Sequence, residues 1–211
     1  MMERSRVIFL LLLMTGCTLF FAGCTSPRMG NTDNTTLVVQ DYNAWADQQR
    51  AYNDQVSSAL TRLGNNLDTY NHGIVLTPPD AGLLRGNAAT DRQVLDAWDT
   101  SGRTLSSATD TFTANTASLD FGTDGETRRL SGLLAQEMKI YSIDMSNAQQ
   151  HFVDYNHDLS GYLAPDDPDY WDDSLRVAAL DAKARALSSV EDGDTALSNI
   201  TATAHLIEER Q

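Results

Sequence analysis

A long stretch of helical periodicity between residues 130 and 162 constrains the fold more than any other feature of the sequence. From Leu134 onward, apolar and aromatic residues recur in alternating steps of four and three, the 3.5-residue period of a helix packed along a seam. Because such a helix cannot bury its apolar stripe alone, we expect partner helices in the same chain. The seam positions are Leu130, Leu134, Met138, Tyr141, Met145, Ala148, Phe152, Tyr155, Leu159 and Tyr162.

Three further segments carry a stripe of the same kind. In the first, Gln49 is a polar break in an otherwise apolar seam, and in the second the stripe is thin because Gly102, Thr109 and Thr116 occupy seam positions. An extended rod of two helical hairpins is one fold that this pattern permits. We expect instead an all-α fold, an antiparallel up-down-up-down four-helix bundle with helices at about 36–70, 90–119, 124–161 and 168–208.

The longest interruption of the helical pattern, residues 71–89, is predicted to be a loop. Glycines and prolines in it stop regular structure, so the next helix is predicted to begin at Thr90, which forms a capping box with Gln93. Apolar residues of the loop, Leu83 and Leu84 among them, are expected to fold back over the end of the bundle. The interrupting residues are Gly73, Pro78, Pro79, Gly82 and Gly86.

The ends of the last two helices follow from capping residues. Thr123 or Asp124 is expected to cap the third helix, and Gly161 is expected to end it. Asp167 is expected to cap the fourth helix, with Pro168 in its first turn. Gly193 permits a kink or a break in the fourth helix, and we expect continuity because the apolar stripe resumes in phase beyond it.

The N-terminal segment has the pattern of an export signal, with arginines before an apolar run and small residues before a cysteine. The residues concerned are Arg4, Arg6, the run 7–21, Ala22, Gly23 and Cys24. The sequence Phe21-Ala22-Gly23-Cys24 resembles the lipobox of prokaryotic lipoproteins, in which the cysteine takes lipid and becomes the new N-terminus. A weaker second match ends at Cys17.

The resemblance implies a signal peptide at residues 1–23 and lipidation at Cys24. Polar residues then form a flexible tether at 24–35, and the helical bundle domain occupies 36–211. The predicted location is the extracytoplasmic face of the cell membrane, with the lipid as the membrane contact. An uncleaved membrane anchor and simple secretion are the alternatives that the apolar run leaves open.

Charge and motif content restrict the function classes. The formal net charge of −14 repels nucleic acid, so no nucleic-acid partner is expected. The four histidines lack the spacing of metal or haem sites, and the sequence contains no nucleophile motif. We therefore expect that the protein binds no metal or cofactor and is not an enzyme. The acidic run 166–173 is compatible with calcium binding, although helix capping and surface charge explain it equally well.

An aromatic cluster is predicted at the end of the bundle far from the tether. Antiparallel threading gathers several aromatic residues there, either as rings that seal the core or as a pocket for a ligand or partner. We therefore expect a non-catalytic helical module that contacts an envelope protein or acts as a spacer, with a ligand-binding or sensory domain as the alternative. The cluster residues are Tyr70, Trp98, Tyr155, Tyr162 and Trp171.

Overall fold

The structure is a computed structural model that describes residues 34–70, 78–164 and 172–211. For residues 64–70 and 78–81 it describes the main chain alone. These residues form four helices and no strand. The helices are α1 (Asn34–Tyr70), α2 (Pro78–Ser118), α3 (Gly125–Tyr162) and α4 (Asp173–Glu208). The predicted all-α four-helix bundle is confirmed.

The helices pack into two compact units, each built from parts of all four helices. The first unit contains residues 34–53, Arg103–Ile143 and Asp192–Gln211, and the second contains Asp54–Gly102 and Asp144–Glu191. The contacts below are described within each unit separately.

In the first unit, neighbouring helices run antiparallel. The Trp45 indole Nε1 donates to Thr109 Oγ1 at 2.9 Å, and earlier on α1 Asp41 Oδ1 accepts from the amide of Asn115, later on α2, at 3.2 Å. Rising residue numbers on α1 therefore meet falling numbers on α2. The pair α3 and α4 behaves in the same way, because Arg210 just after α4 donates from Nε to Thr127 Oγ1 near the start of α3.

In the second unit, two amide side chains of α3 bind main-chain oxygens of α2. Gln149 Nε2 donates to the carbonyl of Leu95 and Asn156 Nδ2 to the carbonyl of Ala88, each at 3.0 Å. The two donors are seven residues apart on α3, and the two acceptors are seven residues apart on α2. The donor with the higher residue number binds the acceptor with the lower one, so the two helices run antiparallel. A carbonyl oxygen has a second lone pair beyond the one used inside its helix, so these bonds add to the helical ones.

The α3 seam is buried as the periodicity predicts. Every seam residue from Leu130 to Tyr162 is at most 8% exposed, and five positions in its middle are fully buried. The α1 seam is equally buried from Val38 to Leu63, and Gln49 within it is only 6% exposed. The polar break in the α1 stripe is therefore part of the core.

The predicted start of the second helix was wrong, because α2 begins at Pro78, twelve residues before Thr90. Prolines are tolerated in the first turn of a helix, where no intrahelical acceptor awaits the main-chain N–H. Thr90 is not a cap, since its hydroxyl donates to the carbonyls of Gly86 and Asn87 one turn earlier.

The seam of α2 also extends backwards through the segment that was expected to be a loop. The buried residues Leu84, Ala88 and Asp91 precede Leu95 in steps of four, three and four, so the helical pattern continues with one carboxylate in it. Leu83 was expected to fold back over the bundle, but its side chain is 62% exposed. Gly82 and Gly86 in this segment are exposed, and helix packing elsewhere compensates their low helix propensity.

Both ends of α3 lie one residue beyond the predicted bounds, at Gly125 and Tyr162, and the cap at its start was predicted correctly. Asp124 caps the helix, because its Oδ1 accepts from the Thr127 main-chain N–H at 3.0 Å and its Oδ2 from the Thr127 hydroxyl at 2.5 Å. Gly161 lies inside the helix, which ends at Tyr162. A Cβ at Gly161 would lie 3.2 Å from Leu175 Cδ1, so the glycine allows α4 to approach closely.

The fourth helix begins at Asp173, later than the predicted start at Pro168. Asp172 is its cap, with Oδ1 accepting from the Ser174 N–H at 2.8 Å, while the expected cap Asp167 lies outside the described residues. The helix runs without a break through Gly193, as expected from the stripe.

Burial along α3 predicts a sharp difference between two aliphatic residues of the same helix. Leu134 is fully buried, so Leu134→Ala is expected to lower the free energy of unfolding by about 2–5 kcal/mol through lost burial and a cavity. Ile140 is 37% exposed, and Ile140→Ala is expected to cost about 1 kcal/mol or less. Urea denaturation followed by circular dichroism measures both, and equal costs would contradict this packing.

Candidate functional site in the helix core

The predicted aromatic cluster falls largely within the core of the second unit. Trp98, Tyr155 and Tyr162 are 1%, 2% and 8% exposed. Tyr70 is the last residue of α1, but its side chain lies outside the described residues, and so does Trp171 altogether.

These aromatic residues pack against other core side chains. The ring of Trp98 lies 5.9 Å from that of Phe152, at an interplanar angle of 47°. Tyr155 and Tyr162 belong to one buried cluster, and burial, with Asp173 nearby, raises the pKa of the Tyr162 phenol. These contacts favour rings that seal the core. The cluster contains Leu84, Tyr155, Leu159, Tyr162, Leu163, Ala179 and Ala182, with Leu175 packed against it.

A second set of polar side chains, which the sequence did not single out as a site, lies in the core of the first unit. We call it the polar layer. Its shortest hydrogen bond joins α3 to α1: the Tyr141 phenol donates to Asn53 Oδ1 at 2.7 Å, and both residues are buried. The polar layer consists of Trp45, Gln49, Asn53, Thr109, Tyr141 and Ser142.

Hydroxyl groups connect α2 to both of its neighbours in the polar layer. Thr109 Oγ1 accepts from the Trp45 indole of α1 and lies 3.3 Å from Ser142 Oγ of α3. The Thr109 hydroxyl also has the Leu105 carbonyl within 3.1 Å, which gives its proton an acceptor in its own helix. Thr109, a polar residue on the otherwise apolar stripe of α2, is therefore the hydrogen-bond acceptor that the buried Trp45 indole N–H requires.

Aromatic rings surround the polar layer. The ring of Tyr141 meets those of Trp45 and Tyr52 edge to face, each at a centroid distance of 6.2 Å. Tyr42 stacks on Trp45 at 6.3 Å. Aromatic pairs of this geometry add to the stabilisation that burial alone provides.

The environment of Tyr141 keeps its phenol protonated. Burial raises the pKa of this group far above its ordinary value, electrostatic interactions with the Tyr52 phenol and the Asp194 carboxylate act in the same direction, and a hydrogen bond with the Gln49 side chain opposes them. A phenol with so high a pKa donates a hydrogen bond and does not act as a base near neutral pH. The chemistry of the polar layer is therefore that of helix-to-helix hydrogen bonding.

The sequence contains a signal for the polar layer, but not its pairing. Gln49 and Thr109 stand out as polar residues on apolar seams, whereas Asn53 lies beside the seam and looks like a flanking position. Tyr141 and Asn53 are separated by 88 residues, so only the packing of α3 against α1 reveals that they meet.

The other predicted sites lie mostly beyond the described residues. Cys24 and most of the acidic run 166–173 are outside them; at the end of that run Asp172 caps α4 and Asp173 pairs with Arg176 at 3.0 Å. Among residues 34–70, 78–164 and 172–211, no group of three histidine, cysteine or acidic side chains is placed to hold a metal ion. Nor is any helix in this part of the chain long and apolar enough to cross a membrane.

Comparisons of the chain with protein-family models, with curated proteins and with solved structures found no match.

The raised pKa of Tyr141 predicts a loss of stability at alkaline pH. Below the ordinary phenol pKa of 10.0 the group is protonated in both the folded and the unfolded chain, and above it only the unfolded chain ionises. The free energy of unfolding should therefore be insensitive to this group near neutral pH. It should fall above pH ~10 by up to about 1.4 kcal/mol per pH unit for this one phenol.

Urea denaturation at a series of pH values measures this slope, with Tyr141→Phe as the comparison. The variant leaves the Asn53 oxygen buried without its donor, so it should be less stable near neutral pH by about 1–3 kcal/mol. Its alkaline slope should be shallower than that of the natural chain. A slope that does not change in Tyr141→Phe would show that this phenol is not the responsible group.

Proposed function

We propose that this chain is a lipid-anchored module on the extracytoplasmic face of the cell membrane. Its helical domain then acts without catalysis, as a contact surface for another envelope protein or as a spacer. The proposal that the domain acts without catalysis is supported by the interior aromatic and polar groups, which are used in contacts between helices. Trp45, Trp98 and Tyr141 are each at most 2% exposed and are engaged by neighbouring helices.

The dimensions of the helices support a spacer or an extended contact surface. They contain 36 to 41 residues each. At ~1.5 Å of rise per residue, a single helix is about 54–62 Å long, whereas a mean globular helix has ~12 residues. Because the aromatic and polar groups named above lie in the core, these long helices present mainly polar outer faces to a partner.

The N-terminal sequence supports the lipid anchor. Phe21-Ala22-Gly23-Cys24 follows an apolar run with a basic start, and after cleavage before Cys24 that residue is the only cysteine of the chain. The formal charge of −14 repels anionic headgroups, so attachment by surface electrostatics is disfavoured. A covalent lipid supplies the affinity that the surface does not.

The two cysteines provide a matched test of the anchor. Cys24→Ala is expected to abolish incorporation of labelled fatty acid into the full-length chain. On a gel, the variant should no longer migrate at the position of the cleaved lipoprotein. Cys17→Ala is expected to keep both properties, because Cys17 lies within the segment that is removed. Metabolic labelling and membrane fractionation in a prokaryotic host measure the outcome.

Two results would overturn the anchor. Labelling that persists in Cys24→Ala and disappears in Cys17→Ala would move the lipid to the weaker motif. Membrane retention of an unlabelled, uncleaved chain would indicate a membrane anchor formed by the apolar run itself.

The alternative, a ligand-binding or sensory domain, requires access to Trp98, Tyr155 and Tyr162. A ligand that reaches these residues has to displace core contacts, so it should change tryptophan emission. We expect a screen of extracts and small aromatic compounds to leave the emission of the purified protein unchanged. A change that is present in Trp45→Phe and lost in Trp98→Phe would favour the alternative, and capture of one protein from detergent-solubilised envelope would favour the contact surface.

A further inference from the structure

Two isoleucines lie on the outer face of α3, on the side of the helix opposite its core seam. Ile140 and Ile143 are 37% and 49% exposed and are within one turn of each other. The other large exposed hydrophobic residues of the described chain are Leu83, Val177 and Leu206, which stand singly on α2 and α4. Single exposed aliphatic residues are common on protein surfaces, so the adjacent pair on α3 is the one that requires a reason.

The isoleucines belong to a stripe with the heptad spacing of a coiled-coil seam. We call this set of residues the outer stripe. Its last four members each follow a core position of α3 by two residues, which places them roughly 200° around the helix from the core seam. The first member is half-buried and the others are exposed. The outer stripe consists of Leu133, Gln136, Ile140, Ile143 and Asn147, in steps of three and four.

The asparagine of the outer stripe favours pairing with an identical helix. Leu133, Ile140 and Asn147 are seven residues apart and occupy the a positions of its heptads. In a parallel pair of identical helices each a residue meets the same residue of the partner. One Asn at an a position then meets an Asn and fixes the register of the two helices.

Charges beside the outer stripe complement a second copy that runs in the same direction. Lys139 precedes Ile140 and Asp144 follows Ile143, so the two charged residues occupy g and e positions. In a parallel pair a g residue faces the e residue five positions later in the partner, so each Lys139 meets the partner's Asp144. No acidic residue lies three or four positions from Lys139 on α3 itself. An antiparallel pair would instead set e positions against each other, Asp144 beside the partner's Glu137.

We propose that the outer stripe is the contact surface for a second copy of this chain, with the two α3 helices parallel about a two-fold axis. The proposal rests on the proposed function, because it names the partner of that contact surface. A two-fold axis along the helices keeps both N-terminal segments at the same end, as two chains anchored in one membrane require. The outer stripe is about 21 Å long, so the pair is reversible and is favoured by attachment to a common membrane.

Cysteine cross-linking of the full-length chain in membranes tests the pairing. In the proposed pair residue 143 of one copy faces residue 143 of the other, so Ile143→Cys should form a disulfide-linked dimer under mild oxidation. Leu206→Cys is the matched control, because Leu206 is also 49% exposed and lies on α4. It should give no more dimer than the natural chain, which sets the background. Equal cross-linking of the two variants, or none in Ile143→Cys, would overturn the proposal.

Exchange of charges tests the direction of the helices. Lys139→Asp sets carboxylates against each other and should weaken the dimer of the detergent-solubilised full chain about tenfold in sedimentation equilibrium. The double variant Lys139→Asp, Asp144→Lys should restore the affinity. Arg185→Asp makes the same charge change at an exposed position of α4 and should leave the affinity unchanged. If the double variant does not fold, the comparison of Lys139→Asp with Arg185→Asp decides, and equal affinities would overturn the proposal.

The pairing and the lipid anchor fail in different measurements. Cross-linking through Ile143→Cys in a chain without fatty-acid label would support the pairing and remove the anchor. A labelled chain that sediments as a monomer and gives no cross-link through Ile143→Cys would overturn the pairing and leave the anchor intact.

Discussion

Burial of the α3 seam is the interaction on which the rest of the structure depends. The apolar stripe of this helix continues from Leu130 to Tyr162, and no position in it is more than 8% exposed. In the first unit the stripe meets α1 through Tyr141, and in the second unit it meets α2 through Phe152. Because both units need α3 in the interior, a disturbance of its stripe affects all of its partner helices.

Polar groups within this core define which helices meet. Apolar packing is tolerant of small rotations and slides, whereas a buried donor requires a particular acceptor. The bonds from Trp45 to Thr109 and from Tyr141 to Asn53 impose such requirements in the first unit. The same side chains are therefore used for specificity of packing, and this use leaves them little freedom for ligand chemistry.

The sequence was sufficient for the fold and for the seams of α1 and α3, because helical periodicity depends on local spacing alone. It failed where a local rule has two outcomes. Pro78 and Pro79 can precede a helix or form its first turn, and Gly161 can end a helix or admit a neighbour, here Leu175. The polar layer was not predictable for a different reason, since the partner of Asn53 is a residue 88 positions away.

The two amide bonds between α3 and α2 in the second unit have a consequence for helix sliding. Gln149 and Asn156 bind carbonyl groups of the main chain, which every residue of α2 possesses. A shift of one heptad would offer each amide an equivalent oxygen, so these bonds define the orientation of the two helices but tolerate translation. Resistance to slippage must then come from bulky or charged pairs, such as the Trp98 ring against Phe152. A change in the register of α2 against α3 during evolution could therefore keep the amide bonds of Gln149 and Asn156, whereas it would disrupt the packing of Trp98 against Phe152.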